Sequence, residues 1–278
     1  MSFVETVVEP RGPYRLRLMN RGPQWTAPLT SGRSARAWQR PDGAVVIQAS
    51  DDEGIATARF MLAVDDDTIG FHERFDRDPL LGPSARAHVG FRPLRRATVA
   101  HALLRAMCGQ LIEARRAIAI ERAITRATGE AVVTQEALAR FSPAELRAHG
   151  LAQHRATALA RIVRTIDLEA LRAFPTDILL ARLTRERTIG PWSVGVIAME
   201  GLGRYDHGIV GDLSLVKLAA SLWGRWPEPG ETAALLTPYG EWQGLACEVL
   251  LRGWAKGLVP GADPDRARTA RRRTLRAA

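Results

Sequence analysis

Two stretches of the chain carry residue types and spacings that could do chemistry. Leu183-Thr184-Arg185-Glu186-Arg187-Thr188-Ile189-Gly190-Pro191-Trp192-Ser193 reads as a helix, a tight turn holding a glycine, and a second helix. A helix starting at Trp192 presents unpaired backbone N–H groups and a partial positive charge, which suits a phosphate. Further along comes Gly211-Asp212-Leu213-Ser214-Leu215-Val216-Lys217. Asp212 stands just before an apolar helical run, the position of an N-cap. A fixed carboxylate there can also stabilise a developing positive charge, or orient and deprotonate a water. Capping and catalysis are compatible, and the residues alone leave both readings open. Asp206, the neighbouring carboxylate, is assigned to a solvent-exposed loop.

These stretches sit in a chain of 278 residues, 46% hydrophobic and 25% charged, the proportions of an ordinary globular protein. That excludes a collagen-like chain, a disordered tail and a disulfide-dependent miniature. No apolar run approaches the ~18 residues of a membrane span. The opening MSFVETVVEPRG lacks the basic flank and apolar run of a signal peptide, so a cytoplasmic chain with no membrane partner is expected. Cys108, Cys247 and the six histidines show no metal-ligand spacing, so neither metal nor cofactor is expected. Net charge is +9, and Lys217 and Lys256 are the only lysines. Residues 1–90 hold 11 arginines against 12 acids, whereas residues 91–278 hold 28 basic residues against 18 acids. The asymmetry points the second part toward a polyanion, nucleic acid first, with a solvated basic surface as the plain alternative.

The elements that must position the two stretches follow from periodicity. Tyr14, Leu16 and Leu18 alternate with Arg15 and Arg17, predicting a half-buried strand. Ser34–Arg40 and Ala44–Ser50 flank the turn Pro41-Asp42-Gly43 and predict a hairpin. Thr57–Val64 is a further apolar run, Thr68–Phe75 a short helical piece, and Phe91-Arg92-Pro93-Leu94-Arg95-Arg96 an extended linker. From Thr98 the period turns helical, with Leu103, Met107 and Leu111 spaced by four. Ser142-Pro143-Ala144-Glu145 is a capping box, and Gly150 suits a helix end. More helices are predicted at Gln153–Thr165, Asp177–Leu183, Trp192–Leu202, Asp212–Trp223 and Trp242–Lys256. Three units result: a sheet domain over 1–92, a helical domain over 93–260, and a mobile basic tail over 261–278.

The hairpin with its following aspartate resembles the helix-hairpin-helix DNA glycosylase superfamily. Phe71-His72-Glu73-Arg74-Phe75 with Asp78-Pro79-Leu80-Leu81-Gly82, Cys108-Gly109-Gln110-Leu111-Ile112, and Leu146–Arg155 extend the likeness to its 3-methyladenine DNA glycosylase II family. The matching stretches span residues 55–257 in order. The resemblance implies an α+β protein, an N-terminal antiparallel β-sheet domain followed by an all-α helix-hairpin-helix glycosylase domain. It implies hydrolysis of the N-glycosidic bond of alkylated purines in duplex DNA, in base-excision repair. Two departures stand in the hairpin: Arg187 replaces the family's proline, and Thr188 its first glycine.

The resemblance also carries roles onto residues. Asp212 is the catalytic carboxylate. Trp192 occupies the place of the lysine in lyase-competent relatives, so no Schiff base forms and a monofunctional enzyme is implied. Gln110, Leu111, Arg187, Thr188, Ile189, Gly190 and Lys217 are the DNA-contacting set, with Leu111 as the wedge that fills the vacated stack. Leu251 stands where the family's stacking tryptophan lies, so Trp192, Trp242 and Trp254 are the aromatic candidates for the base. A monomer acting on double-stranded DNA is expected. A non-catalytic lesion-sensing module and a glycosylase for deaminated or oxidised bases remain open alternatives.

Overall fold

In the computed structural model, which describes residues 3–20, 22–110 and 113–277, the turn at Pro41-Asp42-Gly43 closes the predicted hairpin. Gly43 adopts a φ of +95°, which favours glycine there. Four strands, β1 (Val4–Val8), β2 (Gln24–Pro28), β3 (Ser34–Gln39) and β4 (Val45–Ala49), form an antiparallel sheet ordered β1-β4-β3-β2. Register pairs Ala35 with Ala49 and Ala37 with Ile47. With Val45, these residues form the buried face against α1 (Asp52–Leu62), which contributes Ile55, Ala58 and Leu62. The apolar run Thr57–Val64 is therefore mostly helix, its buried residues recurring at helical spacing.

The expected strand at Tyr14–Leu18 does not form. Leu16–Leu18 is a single 3-10 turn. Tyr14 is buried, and its hydroxyl donates to the Leu62 carbonyl at 3.1 Å. The alternation reflects two separate anchor points and no ladder.

The helical part comprises α2 (Ile69–Phe75), α3 (Gly82–Ala87), α4 (Val99–Gly109), α5 (Ala114–Thr128), α6 (Gln135–Ala139), α7 (Pro143–Ala148) and α8 (Gln153–Thr165). It continues through α9 (Thr176–Leu183), α10 (Pro191–Val196), α11 (Leu213–Trp223), α12 (Ala233–Leu236), α13 (Gln243–Ala255) and α14 (Pro264–Ala277). Its core draws on Leu103, Leu104 and Met107 of α4, Leu159 and Ile162 of α8, Leu215 and Leu218 of α11, and Leu245 and Leu250 of α13. It also recruits Phe71, Phe75, Leu81 and Phe91, from the segment expected to belong to the sheet domain. The capping box at Ser142 forms with both of its hydrogen bonds, and Gly150 takes a φ of +99°.

Two basic stretches behave differently from their sequence reading. Arg92, placed in an extended linker, is fully buried. Its guanidinium donates to the carbonyls of Ala63 (2.6 Å), Val64 (3.0 Å), Pro13 (3.1 Å) and Arg11. The Ala63 and Val64 carbonyls sit at the left-handed end of α1, where Ala63 has φ +53°, and those of Arg11 and Pro13 belong to the segment after β1. Arg95 pairs with Asp66 and donates to the Gly203 carbonyl at 3.1 Å, tying the two parts together. The stretch expected as a mobile tail contains helix α14, whose Ala267 and Ala270 bury against Ala220 of α11. Two alanines one turn apart were enough to give it a packing face, because Ala220 opposes them with an equally small side chain. None of the described helices is long and apolar enough to cross a membrane.

Candidate active site

Helix α11 owes its position to a buried stripe of Leu215, Val216, Leu218, Ala219 and Ala220, and its start is set by the residues before it. Gly211 adopts φ +84° and donates its N–H to Thr232 Oγ1 at 2.8 Å, turning the chain into the helix. Asp212 then caps α11, its Oδ1 accepting the Ser214 N–H at 2.8 Å. Its Oδ2 accepts the Trp192 indole N–H at 3.0 Å. Both oxygens are thus held, one by the helix it caps and one by the hairpin. Asp206 lies in the preceding loop and pairs with His207 at 3.2 Å.

The hairpin is α9, a turn, and α10, which runs on into a π-helical turn over Ile197–Leu202. Ile189 is buried and anchors the turn in the core, its N–H donating to the Glu186 carbonyl at 2.8 Å. Both the side chain and the N–H of this DNA-contacting candidate are therefore taken up inside the fold. Gly190 caps α10 with φ −95°, and a Cβ there would meet nothing within 4 Å. No fold constraint demands the glycine, and the space beside it is open. Thr188 is not in the left-handed region: the non-glycine residues with positive φ, among those described, are Ser31 and Ala63. Replacing the family's glycine therefore costs no backbone strain. Thr188 Oγ1 is buried without a hydrogen-bond partner, and Arg187 is exposed on the turn.

The end of α4 meets this hairpin. A Cβ on Gly109 would lie 2.4 Å from the Trp192 ring, so only glycine lets the indole pack there. Gln110 donates through Nε2 to the Thr188 carbonyl and to Ser193 Oγ, both at 2.6 Å. Gln110 is thus a brace on the hairpin. Leu111, the expected wedge, lies outside the described residues. Gly109, Gln110, Thr188, Trp192 and Asp212 are brought together as one connected set.

The other named residues lie elsewhere. Trp242 is half-buried and stacks on Tyr205 at 6.0 Å and 24°, with Phe71 at 5.8 Å, an aromatic seam between α2 and the start of α13. Trp254 is half-buried on α13 with its indole N–H unpartnered. Lys217 is half-buried on α11. Two surface hollows, one beside Phe3 and Arg36 and one beside Tyr14 and Gln39, lie on the sheet domain.

One acidic residue of α13 was missed by sequence reasoning. Glu248 sits in the otherwise apolar run Leu245-Ala246-Cys247-Glu248-Val249-Leu250-Leu251 of α13. A lone acid inside such a run was the available signal. Its side chain is 29% exposed, and its closest cation is Arg252 Nε at 3.9 Å. Burial lifts its pKa above the ordinary carboxylate range; Arg252 opposes this, and the negative charges of Glu200 and Asp212 reinforce it.

No protein-family model matches the chain, and no curated protein matches its sequence. Solved structures do resemble it. A 3-methyladenine DNA glycosylase from Archaeoglobus fulgidus superposes with a TM-score of 0.75 at 17% identity, over 91% of this chain and all of that one. The Clostridium acetobutylicum 8-oxoguanine glycosylase/lyase, solved with double-stranded DNA, gives 0.69 at 17% identity, over 92% of this chain and all of that one. A DNA-3-methyladenine glycosidase from Bacillus halodurans gives 0.51 at 20% identity, over 71% and 88%. With its small antiparallel sheet followed by helices, the chain has the fold of these glycosylase structures.

Proposed function

We propose that the protein is a monofunctional DNA glycosylase that hydrolyses the N-glycosidic bond of alkylated purines, of the 3-methyladenine and 7-methylguanine type, in duplex DNA. The observation that carries this reading is the hydrogen bond from the Trp192 indole to Asp212 Oδ2, 3.0 Å long. It couples a phosphate-gripping hairpin to a fixed carboxylate. As the bond to the base breaks, positive charge builds on the sugar, and a carboxylate already oriented stabilises that state selectively. Water adds to the sugar C1′ carbon and gives up a proton, for which Asp212 is the acceptor.

The base itself leaves as a neutral purine when it starts as a cation, so no strong acid is required. The target nucleotide leaves the stack at a cost of a few kcal/mol, and Leu111 fills the space. Backbone amides of the hairpin, together with Arg187 and Lys217, hold phosphates without regard to base sequence. Trp192 offers no amine, so the product is an intact abasic strand. The test is incubation of methylated duplex with the protein. Free methylpurines and strands that break only after alkali are expected. Breakage without alkali would overturn the monofunctional assignment, and absence of released base would overturn the enzyme reading in favour of a lesion-sensing module.

A further inference from the structure

Helix α5 opens on the exposed Arg115 and Arg116 and carries two more exposed arginines, Arg122 and Arg126. Positions 115, 119, 122 and 126 recur at helical spacing, so Arg115, Arg122 and Arg126 line one face with the small Ala119 between them. The opposite face holds Ala117, Ile120 and Ile124 in the core. The one acid of α5, Glu121, is buried and turned inward, where it meets Arg96 at 3.2 Å, His101 at 3.3 Å and Arg105 at 3.9 Å. The charge of the outer face is therefore all positive. Among the described residues, none of its guanidinium groups has an ion pair or a hydrogen bond.

Such a face works against the stability of its own helix. Arg115 and Arg116 lie in the first turn, where the helix dipole disfavours positive charge; that turn holds no acid, and Glu113 at the N-cap makes no capping hydrogen bond. Arg122 and Arg126 are one turn apart, the spacing at which like charges repel. Exposed arginines elsewhere are matched: Arg40 to Asp42 at 2.8 Å, Arg59 to Asp65 at 2.6 Å and Arg74 to Glu241 at 3.3 Å. The place of α5 matters as much as its charge. Gln110, the brace on the hairpin, stands five residues before Arg115, so the two Cα atoms are at most ~18 Å apart. From Arg115 to Arg126 the helix rises ~16 Å, a length over which one strand of a duplex carries about five phosphates.

Resting on the glycosylase reading, we propose that the outer face of α5 is a second phosphate-binding surface for duplex DNA, gripping the backbone beyond the hairpin. Each guanidinium offers a planar fork of donors that matches phosphate oxygens. Every phosphate neutralised in this way releases counterions, so the contact adds affinity without reading base sequence. Duplex supplies the negative charge that the stripe lacks and relieves the repulsion within it. The arginines touch none of the groups around Asp212, so the stripe acts on binding and leaves the chemical step alone. It holds undamaged and damaged duplex alike.

The experiment titrates the full chain with undamaged duplex and with duplex carrying one abasic analogue, from about 50 to 300 mM KCl. The α5 variant combines Arg115→Gln, Arg122→Gln and Arg126→Gln. A control with the same change in net charge combines Arg40→Gln, Arg59→Gln and Arg74→Gln. Wild-type log affinity should fall linearly with log salt, and the α5 variant should lose about 2 to 3 from that slope and about 100-fold in affinity at ~100 mM, for both duplexes. The control should keep the wild-type slope. Release of 7-methylguanine from protein saturated with duplex should be the same in all three, and the urea midpoint of the α5 variant should not fall. An unchanged slope in the α5 variant, an equal loss in the control, slower release at saturation or a lowered urea midpoint would each overturn the proposal while leaving the glycosylase reading standing. An α5 variant that loses binding to anionic lipid vesicles but keeps duplex binding would assign the stripe to a membrane surface and overturn it as well. A wild type that binds duplex and releases no base would overturn the glycosylase reading itself, with the slope still deciding what α5 does.

Discussion

At the hairpin side of the site, both Asp212 oxygens accept hydrogen bonds, at 2.8 and 3.0 Å, and the donor indole is itself boxed in by Gly109 and the Gln110 brace. At the α13 side, Glu248 accepts none among the described residues and faces its nearest cation across 3.9 Å. The first arrangement leaves little freedom; the carboxylate is oriented before any ligand arrives, as charge stabilisation without reorganisation requires. One carboxylate is fixed by donors from two elements and the other by none, which makes Asp212 the group suited to the proposed stabilisation of charge on a sugar.

That division can be broken experimentally. The largest effect is expected from Asp212→Asn, which should lower base release about 1,000-fold for every lesion tested, with duplex affinity unchanged in a titration. Losses confined to one lesion would contradict a role for Asp212 at the sugar. Gly109→Ala should come next. Its Cβ would intrude on the Trp192 ring, costing about 1–3 kcal/mol of stability, read as a lowered urea midpoint, and release of all lesions should slow together. Trp192→Phe keeps the ring and removes the donor to Asp212, so release should fall about tenfold, the worth of one hydrogen bond to a charged group. A Trp192→Phe effect on 7-methylguanine but not hypoxanthine would mean that the indole acts on the base and not through Asp212.

The hairpin side was legible in the sequence because its signals are local. Asp212 before Leu-Ser-Leu-Val is an N-cap by residue type, and α8 matches its predicted bounds at Gln153–Thr165. What was lost depends on partners distant in sequence. Arg92 looks like a linker residue until the Ala63 and Val64 carbonyls at the end of α1 are placed around it. Tyr14, Leu16 and Leu18 alternate, but no partner strand meets them. The arginine-rich end looks unable to pack until Ala220 is set against Ala267 and Ala270. The packing of Trp242 against Tyr205 and Phe71 joins residues far apart in sequence, so no local signal carried it. Glu248 reads as an interruption of an apolar helix, and its partners Arg252 and Glu200 emerge only from the fold.

The central claim is that the Asp212 carboxylate stabilises positive charge on a sugar. Its most direct measurement is affinity for two duplexes, one carrying a cationic azasugar at the target position and one a neutral abasic analogue of the same shape. Wild type is predicted to prefer the cationic duplex by about 100-fold or more, and Asp212→Asn to lose that preference while binding the neutral duplex as before. Equal affinity of wild type for the two duplexes, or a preference that survives Asp212→Asn, would contradict it.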